Sequence, residues 1–284
     1  MDSTWLDDLT AWRQRLDDSL RRPYGWLSLV GLHWLEPGSQ RLGRHPTNDI
    51  QIGSDRAPDH IGQLVLDNEL RFEAAEGVTA TLGGELVVHT SLATDLTGEP
   101  SALEVGTLQL MVIEREGRLA LRVWDSQHPA RHVFPGRRWY APDPSWRVTA
   151  KFEAAAHGAT ITVPNELGTP TEDPLAAWLH LTLKGESYRL AAIDRADLWF
   201  APFADRTNGG DTYGAGRFLY VEPTTEGETV VDFNYAYNPP CAFTAFATCP
   251  LPPDENRLPL EVRAGERTPA GDCAEARSGT RLDG

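Results

Sequence analysis

The sequence predicts a mainly-β protein, an N-terminal helix followed by two β modules. Three observations carry this. Apolar residues recur at period two over many short stretches. Glycine (25 residues) and proline (21 residues) punctuate the gaps between them. A clear helical period shows in one place, near the start. Many short strands joined by Gly/Pro turns build sandwiches or barrels.

The helix is predicted over residues 3–22. Trp5, Leu6, Leu9, Trp12, Leu16 and Leu20 fall on one face. Thr4-x-x-Asp7 has the form of a capping box, Asp7 and Asp8 sit in the first turn, Arg21 and Arg22 in the last, and Pro23 stops it. The stripe predicts that both tryptophans dock on the body of the protein. Strands follow at residues 63–72, 78–88, 108–113 and 119–124, with Glu116-Gly117 turning the last pair. Gly and Pro then crowd residues 125–146, the join between modules. Further strands are predicted at 147–152, 159–163, 178–183, 188–193, 198–203, 218–222, 229–234 and 258–263, with Lys184-Gly185 as another turn. The expected organisation is therefore helix and lead-in over 1–35, a first module over 36–135, a second over 136–267, and a small, polar, flexible tail over 268–284.

Composition narrows the function. The 284 residues hold 41 acidic and 26 basic side chains, a net charge of −15, with 40% hydrophobic residues. Phosphate neutralisation needs clustered Lys and Arg, so neither nucleic acid nor an anionic membrane is an expected partner. Three cysteines make no disulfide framework for this length. The N-terminal residues lack the basic-then-apolar pattern of a secretory signal, and no apolar run is long enough to span a bilayer. The expected location is the cytoplasm, and a homo-oligomer is left open. P-loop, G-x-S-x-G elbow, dinucleotide glycine fingerprint and H-E-x-x-H are all missing, so no cofactor and no metal ligand set is expected. Cys241 and Cys249 lack the C-x-x-C spacing of structural zinc and are read as packing.

Two segments look built for a purpose. The loop Asp205-Arg206-Thr207 to Arg217 sets polar side chains among glycines, which allow close approach of a ligand to backbone N–H groups. Arg217 precedes an apolar run, and its fork suits a carboxylate or phosphate. It serves equally well as a pin, pairing with Asp205 or Asp232. Alternation over 232–234 puts Asp232 and Asn234 on one face. The leading reading is a site for a small anionic metabolite in the second module. Arg217 binds the anionic group, Arg206, Thr212 and Asn234 add contacts, and Tyr213 covers the ligand. If the site turns anything over, Asp205 or Asp232 is the base for hydrolysis or isomerisation; enzyme against binder stays open. Two rivals remain. One is an interaction protein whose first module docks a partner. The other is a metal-dependent enzyme with Cys241, Cys249 or a histidine near Asp232.

The strings Phe203–Leu219 and Asp232–Phe243, running on through Cys249-Pro250-Leu251-Pro252-Pro253 to Ala264-Gly265-Glu266, together with Trp26–Leu32, resemble the bacterial and archaeal family called domain of unknown function 1684. That family brings no established activity, and no catalytic residue is carried over from it. Gly43-Arg44, Asn48-Asp49-Ile50 and His60 resemble the opening of a forkhead-associated domain, a β-sandwich that binds phosphothreonine. Its serine and arginine are here Ala57 and Pro58, and a later Asn-Gly pair is Gly83-Gly84. This resemblance implies a forkhead-associated-like sandwich without the binding residues, followed by a second β-barrel or curved sheet.

Overall fold

The computed structural model describes residues 3–224 and 227–270. The protein is mainly β with an N-terminal helix. The described residues fall into two compact units. One comprises 3–17, 135–243 and 247–270, the other 18–134 and 244–246. Of the expected tail, residues 271–284 lie outside the described residues, Cys273 among them.

Helix α1 runs Ser3–Leu20. Leu9 is fully buried, and the Trp12 ring meets Trp139, Tyr235 and Tyr237 edge-on at centroid distances of 5.7, 4.9 and 5.9 Å. The predicted stripe is the docking face. Thr4 lies inside the helix, so it is not the residue that precedes the first turn.

The unit centred on 18–134 is built from β1 (Leu29–Trp34), β2 (Gly38–Gly43), β3 (Ile50–Gln51), β4 (Gly62–Leu66), β5 (Leu70–Ala74), β6 (Ala80–Leu82), β7 (Glu85–Val87), β8 (His89–Ser91), β9 (Leu103–Val105), β10 (Leu108–Arg115) and β11 (Arg118–Asp125). One sheet has the order β1-β11-β10-β9-β6-β7 and the other β3-β2-β4-β5-β8. Side chains from both, including Leu42, Leu64, Phe72, Leu108, Val112 and Leu121, share one core. Arg44, Asn48 and His60 are tied into one local hydrogen-bond network. Asn48 Nδ2 donates to the carbonyls of His45 (2.9 Å) and Asp59 (2.7 Å), Asn48 Oδ1 lies 3.0 Å from His60 Nδ1, and Arg44 Nη2 donates to Asp59 Oδ1 (2.7 Å).

Two predicted single strands are hairpins. Residues 63–72 bend at Asp67, whose Oδ1 accepts from the backbone N–H groups of Asn68 and Glu69. Residues 78–88 bend at Gly83-Gly84, with φ of +59° and +84°. That is the two-residue turn whose twist matches the strands, and glycine adopts its positive φ at no steric cost. Glu116-Gly117 and Lys184-Gly185 turn as predicted.

The other unit carries β12 (Arg147–Ala154), β13 (Thr160–Val163), β14 (Thr171–Leu183), β15 (Glu186–Arg195), β16 (Leu198–Phe200), β17 (Tyr220–Val221) and β18 (Glu228–Asp232). They form an antiparallel sheet of order β17-β16-β15-β14-β12-β18, with β13 added to β14. β14 starts seven residues before the predicted strand, running through Pro174. That residue lies beyond the last position paired with β15, where a missing N–H is tolerated. Residues 258–263 are not a strand. Their backbone instead bonds to the 204–206 segment, with Leu258 N donating to Ala204 O (2.8 Å) and Leu260 O accepting from Arg206 N (2.9 Å).

Candidate functional site

The 205–217 loop closes on a buried ion pair. Arg217 is 0% exposed, and its Nη2 donates to Asp205 Oδ2 at 2.6 Å and to Val262 O at 2.9 Å. Its Nη1 donates to Ala264 O. Asp205 Oδ1 accepts from Thr207 N (2.8 Å), Thr207 Oγ1 (2.6 Å) and Val262 N (3.2 Å). Burial pulls the Arg217 pKa down, and the Asp205 charge opposes that pull. Gly216 makes the approach possible. With φ of +93°, a Cβ there would stand 2.5 Å from Pro252 Cγ and 2.7 Å from Phe203 O.

The other loop residues singled out in the sequence are placed around this pair. Thr212 is fully buried, its Oγ1 within 2.7 Å of Thr207 Oγ1 and accepting from Asn208 Nδ2 at 2.9 Å. Tyr213 donates its hydroxyl to Cys241 O at 3.0 Å. Arg206 is exposed. The loop is thus a polar lock whose groups are turned on one another and on the 262–264 backbone.

Asp232 sits elsewhere in the same unit. β18 ends at this residue, which caps a 3₁₀ turn at Phe233–Tyr235. Its Oδ1 accepts from Asn234 N (3.0 Å) and Asn234 Nδ2 (2.8 Å). The strand alternation that put Asp232 and Asn234 on one face therefore stops at Asp232, and the pair is joined by a cap. Asn234 is fully buried and exchanges two hydrogen bonds with the Asp143 backbone, both 2.9 Å. Asp232 Oδ2 faces the helix. It accepts from Trp5 Nε1 at 2.7 Å, with Arg147 Nε 3.8 Å away.

Beside Asp232 opens a cleft of about 870 Å³ between α1 and the two edge strands of the sheet, β17 and β18. Trp5 and Trp12 line it from the helix, and Tyr220, Tyr235 and Tyr237 from the sheet side. The Tyr220 and Tyr237 rings stack with 18° between planes at 6.4 Å. Burial first, then the Asp232 and Asp8 charges, push the Tyr235 hydroxyl pKa up, and burial does the same for Tyr220 and Tyr237. These phenols stay neutral at physiological pH. Asp8, Glu222, Glu228 and Asp232 also line the cleft, against the single guanidinium of Arg147. Leu198, Tyr220 and Val230 leave apolar surface exposed at its mouth.

Among the seven residues predicted for a site, only Asp232 lines this cleft. The tryptophans were legible as a docking face, and their second role, walling a cleft, had no separate signal. Tyr220 was legible only as a strand residue. Among the described residues no three His, Cys, Asp or Glu side chains gather to hold a metal ion, and no helix is long and apolar enough to cross a membrane.

Residues 132–267 match the model of a family described as protein of unknown function (DUF1684). This segment belongs to that family. The match takes in the β12–β18 sheet, the buried Asp205–Arg217 pair and Asp232, and leaves out Trp26–Leu32 and helix α1 with its tryptophans. The solution NMR structure of an uncharacterized protein from Haloarcula marismortui is 35% identical to the chain. The comparison covers 49% of this chain and 80% of that one, with a TM-score of 0.41. No curated protein matches.

Proposed function

We propose that the unit carrying the family segment binds a small organic ligand in the cleft at Asp232, and that the ligand carries a positive charge on a flat or apolar body. The observation that carries this is the make-up of the cleft, five aromatic rings and four carboxylates against one guanidinium. Aromatic faces and carboxylates both attract an organic cation. The volume suits a metabolite-sized molecule. An anionic ligand held by Arg217 has less support, because both Nη groups of that arginine are spent on Asp205 and on backbone carbonyls. Asp232 is likewise occupied, one oxygen capping a turn and the other holding Trp5. This favours binding over a base-catalysed reaction.

The test is a thermal-shift series with matched ammonium-bearing, carboxylate-bearing and neutral aromatic compounds, run on the wild type and on Tyr220→Ala. Tyr220 is 40% exposed, so its loss leaves the fold standing. The expected result is stabilisation by the ammonium compounds that Tyr220→Ala weakens at least tenfold in ligand concentration. Stabilisation by the carboxylates alone, or a shift indifferent to Tyr220→Ala, overturns the reading.

A further inference from the structure

The 239–250 segment brings two thiols together on separate supports. Cys241 follows Pro239-Pro240 in a 3₁₀ turn at Pro240–Ala242. Its backbone N–H donates to Cys249 Sγ at 3.2 Å. Each cysteine is tied down from outside the segment. Tyr213 donates its hydroxyl to Cys241 O at 3.0 Å. Cys249 O accepts from Glu166 N at 3.1 Å, and Leu251 N donates to Pro164 O at 2.7 Å. The sulfurs are thus held close by contacts that do not involve sulfur, and neither is bonded to another cysteine. Both are buried, Cys241 at 9% exposure and Cys249 at 4%.

We propose that Cys241 and Cys249 form an oxidation site that closes to a disulfide under hydrogen peroxide. The Cys241 thiolate attacks one peroxide oxygen, breaking the O–O bond. It becomes a sulfenic acid and releases hydroxide, which takes up a proton as water. Cys249 then attacks the Cys241 sulfur, forming the S–S bond and expelling the sulfenic oxygen as a second water with the Cys249 proton. Two thiols lose two electrons, and one peroxide gains them. Cys241 is the attacking sulfur on two grounds. It is the more exposed of the two. The neighbouring Cys249 side chain, the largest influence on it, pulls its pKa below that of an ordinary thiol. Cys249 is pushed far up and stays a thiol until the second step. The fold already holds Cys241 N 3.2 Å from Cys249 Sγ, so the cost of bringing the two ends together is met before oxidation.

The site is tested on the full chain carrying Cys273→Ser, exposed to hydrogen peroxide and mapped by non-reducing peptide mass spectrometry. The expected product is a single cross-link between the Cys241 and Cys249 peptides, two hydrogens lighter and reversed by dithiothreitol. Thiol titration after unfolding should fall from two per chain to none. In Cys249→Ser, which removes the resolving sulfur, a dimedone adduct should collect at Cys241. In Cys241→Ser no adduct should collect at Cys249. Two results overturn the proposal: both thiols remaining titratable after peroxide, or Cys241 passing to sulfinic acid without a cross-link while Cys249 is present.

Discussion

The indole Nε1 of Trp5 donates to the Asp232 carboxylate at 2.7 Å, a bond that ties the first turns of the chain to the end of β18. A hydrogen bond to a charged acceptor contributes about 1.5–3 kcal/mol. Trp5→Phe keeps the apolar ring and removes the donor. It should lower unfolding free energy by about 2 kcal/mol and speed amide exchange over residues 3–17. Unchanged exchange in that stretch would show that the helix is held by its rings alone.

The Asp205–Arg217 pair is fully enclosed, both side chains 0% exposed. Removing one member leaves the other charge unpaired in the core, at a cost of about 3–5 kcal/mol. Arg217→Met and Asp205→Asn should each show a loss of that size in urea denaturation, and the double substitution should cost less than the sum. Additive losses would mean that the backbone bonds of Arg217, and not the ion pair, hold the loop.

Gly216→Ala tests the loop from the side of sterics. Its φ of +93° and the 2.5 Å approach of Pro252 leave no room for a methyl group. The substitution should destabilise by more than about 1 kcal/mol although it removes no contact. Calorimetry would show this as a lower melting temperature.

Glu266 gives the unit a pH dependence. Burial pushes its carboxyl up to about 7, against the pull of Arg137 Nη1 at 2.5 Å and of the Asn238 N–H at 2.8 Å. Unfolded, the group titrates near its ordinary 4.5. Between those values the folded state holds a proton that the unfolded state has lost, so stability falls as pH rises from about 4.5 to about 7. The full effect is about 3 kcal/mol. Partly buried His33, whose pKa is pushed down by burial, has the opposite slope. The comparison is therefore the wild type against Glu266→Gln, measured by chemical denaturation across this range. The wild type should lose stability with pH relative to the variant. Parallel curves would contradict this.

The parts of the fold that rest on local patterning were readable from the chain. The Trp5–Leu20 stripe specifies its helix, and Glu116-Gly117 and Lys184-Gly185 specify their turns, because period and turn chemistry are short-range properties. The Asp67 and Gly83-Gly84 hairpins were missed, since a β-rich run with a polar break reads as one strand until pairing partners are known. Residues 258–263 alternate like a strand, yet their backbone partners are the 204–206 loop and the Asp205 side chain, which tertiary contacts alone supply. The same limit applies to the site. The sequence marks Arg217 as unusual and offers Asp205 as one of two partners, but says nothing of the Val262 and Ala264 carbonyls that complete its surroundings. It marks Trp5, Trp12 and Tyr220 as apolar, but not that they face one opening with Asp232.

The irregular stretch from Leu258 to Glu266 gives its carbonyls to Arg217, its Val262 amide to Asp205 and its final carboxylate to Arg137. A chain cut before Leu258 would keep every strand of the β12–β18 sheet and still take hydrogen-bond partners from three buried charged side chains. The shortest autonomous piece of this unit must therefore extend past Glu266, some thirty-odd positions after its last strand.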